Sequence, residues 1–189
     1  MNSYIEQNIG IANNFLSEGL AIQLRNHLLT LYNQEQFKVA GIGNNAKLVQ
    51  NKAIRSDVIY WLDRKHKNPI ENRFFNRMDK FVRFLNETCY TGITGYEFHY
   101  AMYEPGSFYK RHIDQFKDNQ NRAFTMIMYL NPYWKKGDGG ELCIYQNNQA
   151  TLVTPNYRKG VFFKSNQLEH EVLLSYQPRL SITGWLKVG

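Results

Sequence analysis

From Gly95 onward the chain keeps a period of two that few folds can absorb. Tyr96, Phe98, Tyr100 and Met102 alternate with Glu97, His99, Ala101 and Tyr103, which puts apolar side chains on one face of a strand and a mixed set on the other. Arg122 to Leu130 reads as a second strand, rich in β-branched and aromatic residues, that stops at Asn131-Pro132. Glu141–Tyr145 and Thr151–Thr154 flank an Asn147-Asn148 turn and read as a hairpin. Val161–Phe163, Glu169–Leu174 and Leu180–Leu186 complete seven or so short strands. So many short strands with turn residues between them predict two sheets packed face to face.

The N-terminal half has a helical period instead. Ser17 is an N-cap candidate, and Leu20, Leu24, Leu28 and Leu31 recur on one face, predicting a helix over 17–33. Ile70, Phe74, Met78, Phe81, Val82 and Leu85 predict a second over about 70–87, and Ser56–Leu62 a short strand. Residues 36–56 are irregular, with a turn cluster at Gly41-Ile42-Gly43-Asn44-Asn45. The predicted fold class is α+β, mainly β: a double-stranded β-helix (jelly roll) over about 95–189, with supporting helices over about 1–94, in one domain of 189 residues.

Composition narrows the setting. A hydrophobic fraction of 43% and an aromatic fraction of 15% suit a folded globule. There is no apolar run of membrane-spanning length and no N-terminal signal pattern. Two cysteines, Cys89 and Cys143, are too few for a disulfide framework, and a cytoplasmic location is expected. The net charge of +7 is scattered; its densest cluster, Arg64-Lys65-His66-Lys67, reads as a solvated loop.

The chemistry centres on His112-Ile113-Asp114. On an extended backbone, residues two apart face the same way, so an imidazole and a carboxylate converge on one spot. With a second histidine they make the facial triad of a non-haem Fe(II) site. The chain has five histidines. His27 lies on a helix, His66 in the basic loop, and His99 on a strand expected to be partly exposed. His170, in Glu169-His170-Glu171-Val172, is the candidate third ligand; the alternative is an ordinary strand histidine. Arg179 enters an apolar strand nine residues later. A buried guanidinium needs an anionic partner: a carboxylate ligand, or a structural acidic neighbour; the remaining alternative is plain exposure beyond the strand start.

Several motifs in this order resemble the 2-oxoglutarate/Fe(II) dioxygenases of the prolyl-hydroxylase group. They are Tyr103-Glu104-Pro105-Gly106, Tyr109 through Asp114, Tyr129 through Trp134, Gly139-Gly140-Glu141-Leu142, Phe162-Phe163, His170-Glu171-Val172, and Arg179 through Trp185. Ala40-Gly41-Ile42-Gly43, Ile54-Arg55-Ser56-Asp57 and Trp61 are similar to the oxygen-sensing prolyl hydroxylases of animals and their bacterial relatives, where this region is a mobile loop; 36–57 is therefore a candidate lid. The resemblance implies Fe(II) on His112, Asp114 and His170. It implies 2-oxoglutarate on Arg179, assisted by Tyr129 and Tyr103, with Thr183 and Trp185 lining the same pocket. Arg122, Tyr109, Arg55 and Asp57 match positions near the substrate or its lid.

The implied activity is hydroxylation of a prolyl residue in a protein, with O₂ consumed, succinate and CO₂ released, and ascorbate as an optional accessory. Bacterial members suggest elongation factor Tu as a substrate, and neither nucleic acid nor membrane is expected as a partner. Two rivals remain at this level: a related oxygenase acting on a free amino acid or a nucleic acid, and a catalytically inactive jelly-roll binding module.

Overall fold

The computed structural model describes residues 8–41, 51–115 and 120–189. The elements in chain order are strand β1 (Ile9–Ala12), helix α1 (Glu18–Asn33), strands β2 (Lys38–Val39) and β3 (Val58–Trp61), a 3-10 turn (Arg64–His66), helix α2 (Pro69–Cys89), and strands β4 (Gly95–Tyr103) and β5 (Tyr109–His112). There follow β6 (Arg122–Tyr129), β7 (Leu142–Gln146), β8 (Gln149–Val153), β9 (Gly160–Lys164), β10 (Glu169–Val172) and β11 (Arg179–Lys187). A seven-stranded sheet runs β1-β9-β6-β11-β4-β3-β2, and a four-stranded sheet runs β5-β10-β7-β8. The pairings between the named strands are antiparallel. This is the mainly β, helix-supported jelly roll that the periodicity predicts.

Both helices begin where their caps put them. The Ser17 hydroxyl accepts the Leu20 N–H, and the Asn68 side chain accepts those of Ile70 and Glu71, with Pro69 in the first turn. Their apolar faces cover one side of the large sheet. Leu20, Leu24, Leu28, Phe74 and Met78 bury against Phe98, Tyr100, Met102, Met126, Met128, Leu180 and Ile182. On β4, β6 and β11 the even-numbered positions face the helices. Odd positions face the other way: Ala101, Tyr103, Ile127 and Tyr129 join Leu142, Ile144, Val172 and Phe163 in a second core between the sheets. Gly184 lies on the helix side, where a Cβ would fall 2.2 Å from both the Glu97 carbonyl oxygen and the Phe98 ring. The contact closes only because there is no side chain.

The structure departs from the sequence expectation at the sheet edges. β1 and β2 are strands of four and two residues, too short to show a period. The Asn147-Asn148 hairpin forms as expected, both residues at positive φ. His27 and His66 are not idle: they flank the buried Glu71 carboxylate, at 3.1 and 2.9 Å, and tie α1 and the 3-10 turn to α2. The middle of the expected lid, residues 42–50, lies outside the described residues, and with it most of the glycine-asparagine turn cluster. No helix among the described residues is long and apolar enough to cross a membrane.

Phe74 is fully buried and meets Phe98 edge-to-face at 5.1 Å. Phe74→Ala is expected to cost about 3–5 kcal/mol of folding stability, measured by urea unfolding.

Candidate active site

The two histidines meet through strand register. β5 and β10 are neighbours in the small sheet, and His112 and His170 are direct cross-strand partners. Their rings lie 4.3 Å apart. Asp114 follows the end of β5, and its Oδ1 lies 3.4 Å from His112 Nε2 while Oδ2 lies 3.4 Å from His170 Nε2. The potential ligand atoms of all three residues lie within 4.8 Å of one another, the only such cluster among the described residues. Each ring is oriented from behind: His112 Nδ1 lies 2.7 Å from the Lys110 carbonyl and His170 Nδ1 3.2 Å from that of Leu168. Donation to these carbonyls places the proton on Nδ1 and leaves Nε2 as a lone pair aimed at the cluster. Tyr109 stacks on His112 at 3.6 Å.

Electrostatics suit a cation here. Burial disfavours the Asp114 carboxylate, but His170 and His112 outweigh it and hold the group well below the ordinary range. Burial lowers His112; it acts against His170 too, but Asp114 outweighs it there and raises that pKa. Two imidazole lone pairs and a carboxylate, clustered and shielded, match the donor set of a non-haem Fe(II) centre.

The cluster opens on a cavity of about 860 Å³ between the sheets. At one end is Arg179, 1% exposed. Its Nε donates to the Gly140 carbonyl at 2.8 Å, and its guanidinium carbon lies 4.9 Å from the Tyr103 ring centre and 5.0 Å from that of Tyr129. Gly140 sits at φ +65°, and a Cβ there would come 3.0 Å from Arg179 Cδ and 2.8 Å from Ser175 Oγ. No carboxylate among the described residues pairs with Arg179. The structural salt bridge left open by the sequence is therefore not what compensates it; the arrangement fits an acidic ligand entering the cavity. Burial raises the Tyr129 hydroxyl against the pull of Arg179, and raises Tyr103 as well. The Tyr129 hydroxyl is buried with no partner of hydrogen-bond geometry.

The other anticipated residues divide into two groups. Thr183 and Trp185 line the cavity from β11, on the same strand face as Arg179. Arg55 grips Asp57 through two bonds of 2.8 and 2.6 Å, reaches the Gly41 carbonyl at 3.3 Å and lies over Tyr109 at 4.3 Å. Burial acts against the Arg55 charge, but Asp57 outweighs it and its pKa is raised. Arg55 also lines the cavity; Asp57 is fully buried and holds the arginine from behind. Arg122 pairs with Glu97 and covers the Trp185 ring at 3.4 Å.

Two residues of the site were not singled out from the sequence. Thr125 donates to Asp114 Oδ2 at 2.7 Å; its parity with Tyr129 on β6 was the available signal. His99 was expected to be partly exposed, and this is corrected: it is 3% exposed, between Trp61 and Trp185, with Nδ1 unpartnered. It shares the cavity face of β4 with Glu97, Ala101 and Tyr103.

The sequence profile of the 2OG-Fe(II) oxygenase superfamily matches residues 98–187. The match covers most of the jelly-roll core. The chain is also similar to proteins named as prolyl hydroxylases. A hypoxia-inducible factor prolyl hydroxylase of Caenorhabditis elegans is 30% identical over 145 residues, 71% of this chain and 20% of that protein. A prolyl 3-hydroxylase of Xenopus laevis is 35% identical over 77 residues, 35% of this chain and 15% of that protein. The chain thus spans a fifth or less of these curated relatives. Solved structures match over more of their length. A prolyl-4-hydroxylase of Pseudomonas putida superposes with a TM-score of 0.88 at 28% identity, covering 100% of this chain and 96% of that one. A Trichoplax adhaerens prolyl hydroxylase, in complex with a hypoxia inducible factor peptide fragment, gives 0.87 at 28% identity, covering 98% and 86%.

Burial first, then Arg55 and Arg122, depress His99 to about 3. The unfolded chain would take up this proton near pH 6.5 and the folded chain would not, so stability is lost as pH falls below that value. Between pH 7 and 5 this contributes a loss of about 2 kcal/mol. Urea unfolding of His99→Met is expected to lack that component.

Proposed function

We propose that this protein is an Fe(II)- and 2-oxoglutarate-dependent dioxygenase that hydroxylates a prolyl residue of a protein substrate. The observation that carries the reading is Arg179, buried beside the His112-Asp114-His170 cluster without a carboxylate of its own. A two-ended acid with a chelating head and a distal carboxylate would satisfy both. His112, Asp114 and His170 would hold Fe(II); Arg179, with Tyr129 and Tyr103, would take the far carboxylate. Bound together, Fe(II), 2-oxoglutarate and O₂ supply C–H hydroxylation coupled to release of succinate and CO₂, with ascorbate as an accessory reductant.

The chain's own residues do the positioning. Asp114 stays ionised and carries the negative charge that a cation needs. Ile127, Leu142 and Val172 give the cavity that the cluster and Arg179 share an apolar part of its lining. Trp61 and Trp185, 6.3 Å apart, with Arg122 and Tyr109, offer an aromatic and cationic surface for a peptide. The Arg55–Asp57 pair anchors the described end of the proposed lid: the Lys110 N–H donates to the Ile54 carbonyl and the Ser56 N–H to that of Phe108, so 54–56 is laced to β5. The peptide-bound Trichoplax relative supports a protein substrate. Elongation factor Tu, in the cytoplasm, is our candidate target; the free Cys89 and Cys143 agree with that compartment.

Anaerobic addition of Fe(II) and 2-oxoglutarate is expected to give the weak visible band of the chelate, lost in His112→Ala and Asp114→Ala. Absence of the band in the wild type sinks the proposal. Arg179→Ala should weaken 2-oxoglutarate about 100-fold, a truncated buried charge pair costing about 3 kcal/mol, while metal affinity is retained. Succinate release is expected with a proline-containing protein, whose target peptide gains the mass of one oxygen atom. Turnover only with free proline or single-stranded nucleic acid would overturn the protein-substrate assignment.

A further inference from the structure

The Asp114 carboxylate is not symmetric. Oδ2 accepts the Thr125 hydroxyl at 2.7 Å, and the same hydroxyl lies 2.9 Å from Ser165 Oγ. Thr125 and Ser165 are both fully buried. Proton counting sets the direction of this chain. An ionised carboxylate has no proton to give, so Thr125 donates to Asp114. Its single proton is then spent, so Ser165 donates to Thr125. Backbone pairing holds both hydroxyls in place. Thr125 is registered against Phe163 of β9 on one side and Trp185 of β11 on the other, and the Ser165 N–H donates to the Ala123 carbonyl at 3.0 Å. Each oxygen faces a candidate ligand nitrogen at 3.4 Å, Oδ1 that of His112 and Oδ2 that of His170, so the difference between them is the hydroxyl: no comparable side-chain hydroxyl is found on Oδ1 among the described residues.

A carboxylate can give a metal one oxygen or two. A second oxygen from Asp114 would fill a position that a chelating co-substrate or O₂ needs. A buried hydroxyl donor on one oxygen draws down its electron density and occupies a lone pair, so the other oxygen becomes the better donor. We propose that Thr125, oriented by Ser165, is a positioning residue that confines Asp114 to one-oxygen ligation through Oδ1 and so keeps coordination positions open. This rests on the metal-site reading given under Proposed function.

The test uses the full chain with Mn(II) as a redox-stable stand-in for Fe(II). Mn(II) affinity is read by electron paramagnetic resonance of the free ion, and 2-oxoglutarate affinity of the Mn(II)-loaded protein by calorimetry. Thr125→Val keeps the shape and removes the donor. It is expected to bind Mn(II) as tightly as wild type or more so, and 2-oxoglutarate about tenfold more weakly, while Thr125→Ser restores the wild-type values. A purely structural role would weaken metal and co-substrate together, so loss of Mn(II) binding by folded Thr125→Val overturns the proposal. Unchanged 2-oxoglutarate affinity overturns it as well. If Thr125→Val does not fold, Ser165→Ala decides: a two- to threefold loss in 2-oxoglutarate affinity at unchanged Mn(II) affinity supports the idea, and no change defeats it. Wild type that binds neither Mn(II) nor 2-oxoglutarate removes the metal-site reading itself, an outcome distinct from the variant results.

Discussion

A guanidinium inside a protein must be compensated, and Arg179 has no carboxylate partner among the described residues. It opens β11, one of two nine-residue strands, and is 1% exposed, with its Nε on a backbone carbonyl and two tyrosine rings within 5.0 Å. An uncompensated buried charge costs several kcal/mol. The surrounding fold is arranged to tolerate that cost until an anion arrives. Gly140 clears space with its missing Cβ, and the two tyrosine faces offer partial compensation. The His112-Asp114-His170 cluster lines the same cavity: an ionised aspartate and two imidazole nitrogens, oriented by backbone carbonyls. An unpaired guanidinium and a donor cluster in one cavity are what support the ligand reading proposed above.

The architecture follows from two sheets with different duties. The large sheet is covered on one face by α1 and α2, so its even positions on β4, β6 and β11 make a thick core that holds the strands rigid. Its odd positions are released from that duty and form the cavity floor. The small sheet supplies the histidines by cross-strand pairing, a geometry insensitive to side-chain motion because the ladder sets it. The loop after β5 contributes Asp114, and the large sheet reaches back through Thr125 to fix it. The two histidines and the Arg179–Tyr103–Tyr129 group thus come from opposing sheets.

Much of the site was legible in the sequence because its parts are close in the chain or strict in period. His112 and Asp114 are two residues apart, and an arginine opening an apolar strand advertises a need. The chemistry around them was not legible. Thr125 looks like any β-branched strand residue, and only the folded chain brings Asp114 and Ser165 to its hydroxyl. His99 was misplaced because a strand period fixes which residues share a face, not which face meets solvent. That depended on Trp61 of β3 and Trp185 of β11 closing on either side of it.

The one-dimensional pattern alone determined the helices, the long strands and which residues share a strand face, and it named His112, Asp114 and Arg179 as candidates, since each depends on local period and chemistry. Tertiary structure decided the rest. It made His112 and His170 neighbours across 58 residues. It left Arg179 without a carboxylate partner among the described residues and turned Asp57 into the support of Arg55. It paired one oxygen of Asp114 with Thr125. These are consequences of register and sheet packing, long-range contacts whose energies no window of sequence contains.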